Sequence, residues 1–392
     1  LTLSTCANNG LSANFWSTFT AQGLTVNKIG GLSTGGGISL SNMTSATITR
    51  CFFLSNLVSG LSVTGVTNLV ISDSSFISNT ALSNGAGVKI TQGKGNSFFI
   101  FFFKKQADSF PPIFIPYNQG SSTYISGSTF TGNHLTLTDG GAIYISGQGN
   151  FTVDSSSFTS NNGNNGATIA LADAGKPFFR FCLFQFGFSG VSGSWVVNIL
   201  NSEFNGATAS NSGGMFFYKS SATTTSVQLI FKDLVVSGTH AELTGGGGIY
   251  LDLLGPSNDI QIITSIFSVC QMFAGDGGAV CINSPSTVCR QLYQTRLKSN
   301  NTTKQGSTAL SVTGSTFLDN YASTDGAAIW AFNNPLLVTI QECIFQENSI
   351  DLAPSNAGGT LLRGVSLPIS LFLSLSLSLS LSLSVCVCVC VF

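Results

Sequence analysis

The sequence predicts an all-β chain that folds as a right-handed parallel β-helix, a single-stranded β-solenoid of about ten or eleven coils. Two observations lead to this fold class. A short motif, a Phe followed three residues later by Asn, recurs along the chain, and about a dozen residues later comes a glycine-rich motif ending in Val or Ile. The chain also combines 8% charged residues with many small polar residues, which suits stacked strands joined by tight turns.

The recurrence sets the register of the predicted coils, because an element repeated every 20 to 50 residues or so is the signature of a solenoid. Complete pairs of the two motifs are SSFISN with GAGV ending at Val88, STFTGN with GGAI ending at Ile143, SSFTSN with GATI ending at Ile169, SIFSVC with GGAV ending at Val280, and STFLDN with GAAI ending at Ile329. We assign the repeat Phe to Phe53, Phe76, Phe130, Phe158, Phe184, Phe204, Phe267, Phe317 and Phe345, with a degenerate copy near Val236.

One unit, Asn150–Leu171, shows why each repeat should form strands. Its segment FTVDSS alternates apolar and polar residues as a half-buried strand does. The run Asn161–Gly166 should bend the chain, because Asn and Gly adopt left-handed backbone angles at low cost. The following ATIAL is the next short strand. Coils of about 25 residues, stacked about 4.8 Å apart, would make a rod on the order of 50 Å long.

Equivalent side chains of stacked coils should form internal columns, because a single coil cannot bury its apolar face. The Phe rings should stack, and glycine pairs such as Gly140–Gly141 and Gly277–Gly278 should form a corner that a Cβ atom would block. The branched residues of the second motif are Val88, Ile143, Ile169, Ile249, Val280 and Ile329. The asparagines of the Phe motif are Asn56, Asn79, Asn133, Asn161, Asn320 and Asn348. We expect these asparagines to form an internal ladder that satisfies turn backbone groups; exposed turn residues are the alternative.

The cysteines follow the repeat rather than a disulfide pattern. Cys51, Cys182 and Cys343 each lie two residues before a repeat Phe, where other repeats carry Ser. Those serines are Ser74, Ser128, Ser156, Ser202, Ser265 and Ser315. We therefore interpret the three cysteines as buried free thiols in a column of small residues. The redox compartment of the protein stays open.

Two stretches interrupt the register, and a low-complexity tail ends the chain. Residues 93–120 include FFIFFFKK and residues 285–305 include TVCRQLYQTRLKSNNTTKQ; excising either one restores an ordinary coil. Each can be a projecting loop, a degenerate coil or translated non-coding sequence; we favour non-coding sequence for the first and a polar loop for the second.

The tail, residues 366–392, alternates Leu-Ser and then Val-Cys. We interpret it as a translated microsatellite, with a period-2 strand, a membrane-spanning helix or a C-terminal anchor strand as alternatives. The predicted β-helix domain is therefore 1–365. The chain starts without Met, so we expect a fragment of a longer protein.

The alternation of the two motifs resembles the repeats of chlamydial polymorphic outer-membrane proteins. The copies that carry this resemblance are FLSN, FISN, FTGN, FTSN, FLDN and FQEN, with GAGV, GGAI, GATI, GGAV and GAAI, across residues 51–359 apart from the inserts. The resemblance implies a right-handed, pectin-lyase-like β-helix that serves as the passenger of an autotransporter adhesin. Similar repeats occur in eukaryotic protist proteins, and microsatellites suit a eukaryotic genome. The resemblance therefore bears on the fold more than on an outer membrane.

The sequence contains few residues that could come together as a catalytic site. Glycoside hydrolysis needs two facing carboxylates, and lyases need a base, often with Ca²⁺ held by clustered acids. The best acidic array is Asp139, Asp276 and Asp325, each directly before a glycine of the second motif. Other repeats carry Asn84, Asn165 and Ser212 at this position, as turn residues would. We assign no catalytic, cofactor-binding or metal-binding residue, and we interpret His134 as a surface turn residue.

These observations predict a non-enzymatic repeat protein, extracellular or on the cell surface or outer membrane, that acts as an adhesin-like or structural scaffold. A glycan or a cell-surface protein is the expected partner. Nucleic acid is not, because the net charge of −1 provides no basic face, and membrane association through the tail is left open. A polysaccharide lyase or hydrolase of the same fold is the alternative. Asn-x-Thr sequons at Asn42, Asn150, Asn300 and Asn301 permit N-glycosylation of a secreted chain.

Overall fold

The computed structural model describes residues 2–4, 10–14, 17–30, 36–81, 85–91, 121–135, 138–147, 149–172, 194–219, 226–253, 258–283, 308–324, 326–332 and 336–350. Within these ranges every regular element is a β-strand, no helix occurs, and the paired strands run parallel. The predicted all-β class with parallel pairing is confirmed, and the arrangement is compatible with a parallel β-helix.

The strands form three sheets. The first sheet contains β1 (Thr2–Ser4), β4 (Thr25–Asn27), β6 (Phe52–Leu54), β8 (Ser75–Ile77), β11 (Thr129–Thr131), β14 (Ser157–Thr159), β18 (Glu203–Asn205), β22 (Val235–Ser237), β26 (Ile266–Ser268), β30 (Thr316–Leu318) and β34 (Ile344–Gln346). The third sheet contains β15 (Asn162–Asn165), β19 (Thr208–Ser212), β23 (His240–Ala241), β27 (Gln271–Met272), β31 (Tyr321–Ala322) and β35 (Ser349–Ile350).

The second sheet consists of two ladders that share the long strands β5 (Gly36–Thr49) and β7 (Ser59–Ser72). The leading ladder adds β3 (Thr18–Gln22), β10 (Ser121–Ser126), β13 (Gly149–Asp154), β17 (Ser194–Leu200), β21 (Ser226–Lys232), β25 (Asn258–Ile263), β29 (Thr308–Thr313) and β33 (Leu336–Gln341). The trailing ladder adds β2 (Leu11–Asn14), β9 (Val88–Thr91), β12 (Ile143–Ser146), β16 (Ile169–Ala172), β20 (Phe216–Lys219), β24 (Ile249–Asp252), β28 (Val280–Asn283) and β32 (Ile329–Phe332).

Each repeat visits the sheets in one order, as the unit that starts with β13 illustrates. β13 joins the leading ladder, β14 the first sheet, β15 the third sheet and β16 the trailing ladder. The preceding repeat lies in register beside it, with Phe130 opposite Phe158 and Ile143 opposite Ile169. The chain therefore adds one strand to each ladder per repeat, and equivalent side chains fall into columns.

The predicted Phe column is confirmed. The rings of Phe53, Phe76, Phe130, Phe158 and Phe204 form a continuous stack with neighbouring centroids 4.5, 4.8, 4.9 and 4.7 Å apart. Phe267, Phe317 and Phe345 form a second stack with spacings of 5.2 and 5.0 Å. Val236 pairs with both Phe204 and Phe267 and so separates the two stacks, as expected for the degenerate copy.

Two assignments from the sequence are wrong, because no rung lies between Phe158 and Phe204. These two rings stack directly, which excludes Phe184 as a repeat Phe. The backbone N–H of Ser156 likewise donates directly to Oγ of Ser202, at 3.2 Å, which excludes Cys182 from the small-residue column. Both excluded residues lie outside the described residues. The stretch 173–193 is thus a third interruption of the register, and its segment FRFCLFQF imitates the repeat motif.

The small-residue column is a hydroxyl ladder. Ser128 illustrates it: its Oγ accepts from the N–H of Ser74 at 3.2 Å and donates to the carbonyl of Ser126 at 2.8 Å. Matching bonds are made by Ser74, Ser156, Ser202, Ser265 and Ser315. Cys51 occupies the same column as a buried free thiol, as predicted, and burial raises the pKa of that thiol. Cys343, near the end of the stack, is half-buried.

The asparagine ladder is also confirmed, and its side-chain amides pair with one another and with backbone groups. Asn133 Nδ2 donates to Asn161 Oδ1 at 3.0 Å and to the carbonyl of Phe76 at 2.9 Å. Its Oδ1 accepts from both the side chain and the backbone N–H of Asn79. The remaining members of the ladder are Asn56, Asn320 and Asn348. Each of these side chains makes three or four hydrogen bonds, which explains how all of them except the half-buried Asn348 can be buried.

The glycine pairs and the aliphatic column follow the predicted arrangement. Gly140 has φ 74°, and a Cβ atom on Gly141 would lie 2.2 Å from the carbonyl oxygen of Ala167. The branched residues Val88, Ile143, Ile169, Ile249, Val280 and Ile329 are fully buried. Phe216 supplies the rung between Ile169 and Ile249.

The predicted inserts 93–120 and 285–305 and the tail 366–392 lie outside the described residues, so the domain boundaries stay a prediction. The strands on either side of the two inserts nevertheless keep register. β7 pairs with β10, and β25 pairs with β29, as neighbouring rungs. Neither insert adds a rung to the leading ladder.

Candidate functional site

In the described part of the chain, a polar groove lies at the corner where the leading ladder passes into the first sheet. It has a volume of about 520 Å³. Its walls are formed by Gly127, Ser128, Thr129, Ser155, Ser156, Ser157, Asn201, Ser202, Glu203, Asp233 and Val235. We call it the corner groove.

Left-handed bends place the side chains of the corner groove. Ser155, Asn201 and Asp233 have φ of 49°, 46° and 55°, and each links a leading strand to a strand of the first sheet. Short polar residues tolerate this backbone region better than other side chains do. Gly127 takes the equivalent position in the preceding repeat, with φ 53°. The bends of successive repeats therefore line one side of the groove with small polar groups.

Carboxylates give the corner groove an acidic character. Asp154 Oδ1 accepts from Asn201 Nδ2 at 2.9 Å, and Asp233 accepts from the Thr264 hydroxyl. Lys232 Nζ lies 3.8 Å from Asp233 Oδ2, but both side chains are about half exposed, so this ion pair is screened by water. The side chain of Glu203 is exposed and forms no hydrogen bond or ion pair with a described residue. Its carboxylate is thus available to a ligand.

The spacing of Glu203 and Asp233 is the one arrangement here that resembles a catalytic pair. Glu203 pairs with Val235 on the next strand, and Asp233 lies two residues before Val235. The bend residue Asp233 and the strand residue Glu203 therefore lie on adjacent repeats, and both belong to the wall of the corner groove. Carboxyl groups of glycosidases are separated by about 5 to 9.5 Å. The groove is open, however, and Asp233 already has the exposed Lys232 ammonium 3.8 Å from its Oδ2.

The acidic array predicted from sequence does not bring its members together. Asp139 and Asp276 do lie in one column, but Asn165, Ser212 and Gly245 occupy the rungs between them. Four steps of the stack separate the two acids by about 19 Å. Asp139 Oδ1 accepts from Asn165 Nδ2 at 2.8 Å, and Asp276 accepts from the Thr324 hydroxyl. Asp325 lies outside the described residues.

Metal ligands do not cluster in the described ranges, where no group of three or more His, Cys, Asp or Glu side chains is arranged to hold an ion. His134 is exposed at a turn, as the sequence predicts, and bridges the backbone of Thr80 and Asn162. The ring of His240 packs edge-on against Phe273, with centroids 5.8 Å apart, and its Nε2 lies 3.0 Å from Thr208 Oγ1.

Sequence reasoning missed a cluster on the outer side of the trailing ladder. Tyr250 stacks on Phe217, with centroids 5.5 Å apart, and Cys281 occupies the next rung. Burial raises the pKa of Tyr250 to about 12 and the pKa of Cys281 well above its usual value. Burial also raises the pKa of Asp252, with Lys219 opposing the shift. The cluster could have been predicted from the residue that directly follows each member of the aliphatic column, because that residue is aromatic in several repeats.

These shifted groups are buried rather than presented to a ligand. Phe217 and Tyr250 are 7% and 8% exposed, and a thiol with a raised pKa is a poor nucleophile at neutral pH. The cluster therefore packs the trailing ladder, and the corner groove remains the better place for a ligand.

Comparison of the chain with protein-family models, curated proteins and solved structures finds no match. Among the described residues, no helix has the length and apolar character to cross a membrane.

Proposed function

We propose that this chain is a right-handed, pectin-lyase-like β-helix of the FxxN/GGAI repeat type, and that it acts outside the cell as a non-enzymatic adhesin-like or structural scaffold. The proposed location is the cell surface, the outer membrane or the extracellular space. The proposed partner is a glycan or a cell-surface protein.

One observation carries this proposal: the polar residues that recur in every repeat are used inside the stack. The repeated asparagines pair with one another and with turn carbonyls. The repeated serines pair with backbone groups of adjacent repeats. Selection for this pattern maintains the stack itself, whereas an active site would require a few unusual residues in one place. A regular rod with a polar exterior suits a stalk or a binding surface.

The exterior favours binding through hydroxyl and amide groups. Charged residues are only 8% of the chain, and the corner groove presents the hydroxyl and amide groups of Thr129, Ser155, Ser157 and Asn201. Such groups exchange hydrogen bonds with the hydroxyls of a sugar. The acids of the groove, Glu203 and Asp233, oppose polyanionic glycans. We therefore propose neutral or amine-bearing glycans as the first ligands to try.

The location can be tested by labelling intact source cells with a membrane-impermeant amine reagent. We expect the full-length protein to be labelled while a cytosolic marker is not. A protein labelled only after lysis would overturn the proposed location.

The binding role can be tested with the purified chain on a glycan array that includes neutral and uronate-containing glycans. The double substitution Glu203→Gln and Asp233→Asn should change the bound set. The matched control is Glu342→Gln, an exposed acid at the equivalent bend of a distant repeat. Equal binding by both variants would exclude the corner groove as the binding site.

A carbohydrate-active enzyme is the second candidate, and the shared location of Glu203 and Asp233 in one groove is the observation that favours it. Such an enzyme would cleave pectin, alginate or a glycosaminoglycan. The single substitutions Glu203→Gln and Asp233→Asn would then each lower turnover by two or more powers of ten. Absence of turnover by the unsubstituted protein on all three substrates would leave the scaffold proposal in place.

A further inference from the structure

Two asparagines on the outer face of the described chain belong to Asn-x-Thr sequons, which the asparagines of the ladder do not. Asn150-Phe151-Thr152 lies in β13, and Asn42-Met43-Thr44 lies in β5. In each, the middle residue points into the core, with Phe151 fully buried and Met43 3% exposed. Strand alternation then turns the Asn and the Thr to the outer face. Both asparagines are exposed.

The ladder asparagines do not belong to Asn-x-Ser/Thr sequons. Two residues after them come Val58, Ala81, Leu135, Gly163, Ala322 and Ile350. Most of these positions are buried apolar sites, so the fold itself keeps Ser and Thr away from them. An attached sugar on a ladder amide would also break its hydrogen bonds to adjacent repeats. In the described ranges the Asn-x-Ser/Thr sequon therefore occurs only where an attached sugar would lie on the outer face of the stack.

The surroundings of Asn150 can accommodate a bulky group. Its lateral neighbours on the sheet are the small side chains of Ser122 and Val196. The side chain of Asn150 forms no hydrogen bond with another described residue. The ring of Tyr124, 39% exposed, lies on the neighbouring strand opposite Thr152. The first attached sugar would therefore cover an apolar ring rather than displace a charged partner.

Asn42 is the weaker of the two sites. Its Nδ2 donates to Asn14 Oδ1 at 3.0 Å, and its backbone has φ 53°. Replacing one of the two amide hydrogens by a sugar leaves the other available for this bond. The site is therefore compatible with modification but has an existing partner.

We propose that Asn150 is an acceptor for N-linked glycosylation, with Asn42 as a secondary acceptor; this rests on the proposed export of the protein. The donor is a lipid-linked oligosaccharide diphosphate, and the catalyst is a membrane-bound oligosaccharyltransferase. A bond forms between Asn150 Nδ2 and C1 of the first sugar as the bond from C1 to the diphosphate oxygen breaks. The lipid diphosphate leaves, and the amide proton passes to a base.

The test is translation of the full chain behind a cleavable export signal in the presence of microsomes. Protease protection identifies the translocated chains. Enzymatic release of the glycan in ¹⁸O-labelled water converts a modified Asn150 to labelled Asp, which mass spectrometry locates. We expect label at this position in the unsubstituted chain and in Thr152→Ser, which keeps the motif. We expect none in Thr152→Ala, which leaves the asparagine in place but removes the motif.

Translocated chains without label at position 150 would overturn the proposal, whatever the state of Asn42. Surface labelling of source cells is independent of this result, because the added signal routes the chain into the microsomes. A chain that is glycosylated in microsomes but confined to the cytosol of its own cells would overturn the proposed location and leave the acceptor assignment standing.

Discussion

The side-chain amide of Asn133 donates to the side-chain oxygen of Asn161, one repeat away, at 3.0 Å. The backbone N–H of Asn133 donates to the same oxygen at 3.1 Å. One acceptor thus fixes both the turn and the side chain of its neighbour, which couples the conformation of adjacent repeats. A column of such pairs explains why Asn is repeated here although a buried amide is costly when unpaired.

Substitution of Asn133 by Ala should therefore destabilise the stack well beyond the loss of one contact. It leaves the amide and the backbone N–H of Asn79 without their acceptor. We expect the free energy of unfolding to fall by at least about 2 kcal/mol. The matched control is Asn205→Ala, at an exposed position, with an effect within about 0.5 kcal/mol. Urea unfolding measures both, and equal values would show that the ladder contributes little.

The neighbours Phe52 and Phe53 offer a direct comparison of the two faces of one strand. Phe53 is fully buried and stacks on Phe76, whereas Phe52 is 45% exposed. We expect Phe53→Ala to cost about 3 to 5 kcal/mol, because it removes the fully buried first ring of the stack and leaves a cavity between Val26 and Phe76. Phe52→Ala should cost much less. Thermal and urea unfolding of the two variants would refute the assigned register if their order were reversed.

Val269 has a backbone conformation that suits its side chain poorly. Its φ is 54°, and equivalent bends in other repeats carry Ser78 and Ser160 or a glycine. A β-branched residue is strained in this region, whereas Asn adopts it readily. Val269→Asn should therefore raise the free energy of unfolding by about 1 kcal/mol. The control Ile266→Asn removes an apolar side chain of similar exposure from a strand, where no such gain is expected.

The columns could be predicted from the sequence because the residues of each column recur at a constant offset from the repeat Phe. Phe184 and Cys182 show the limit of that reasoning. The segment FRFCLFQF satisfies the motif locally, and only the direct pairing of Phe158 with Phe204 excludes it. A motif defines a rung only together with its hydrogen-bonded neighbours, which are far apart in sequence.

The corner groove could not be predicted for a related reason. Glu203 belongs to a strand and Asp233 to the bend of the following repeat, so no local pattern links them. Their proximity arises from the pairing of β18 with β22 in the next repeat. The outer cluster around Tyr250 was not predicted because its members share only one feature: each directly follows a residue of the aliphatic column.

The acids Asp319 and Glu347 lie at equivalent bends of adjacent repeats and make the stability of this end depend on pH. The pKa of Asp319 is raised above the ordinary value of 3.8 because its protonated carboxyl donates a hydrogen bond to the Glu347 carboxylate, and desolvation and the like charge of Glu347 act in the same direction. Because the folded-state pKa is higher than the unfolded-state pKa, the stabilising contribution is complete below 3.8 and is lost as the pH rises through the folded-state value.

Glu347→Gln removes the like charge and should flatten this dependence. We expect the midpoint temperature of the variant to exceed that of the unsubstituted chain at neutral pH and the difference to shrink towards pH 3. Glu342→Gln, an exposed change in the same repeat, serves as the control. Parallel pH profiles for the unsubstituted chain and Glu347→Gln would show that the two carboxyl groups titrate independently.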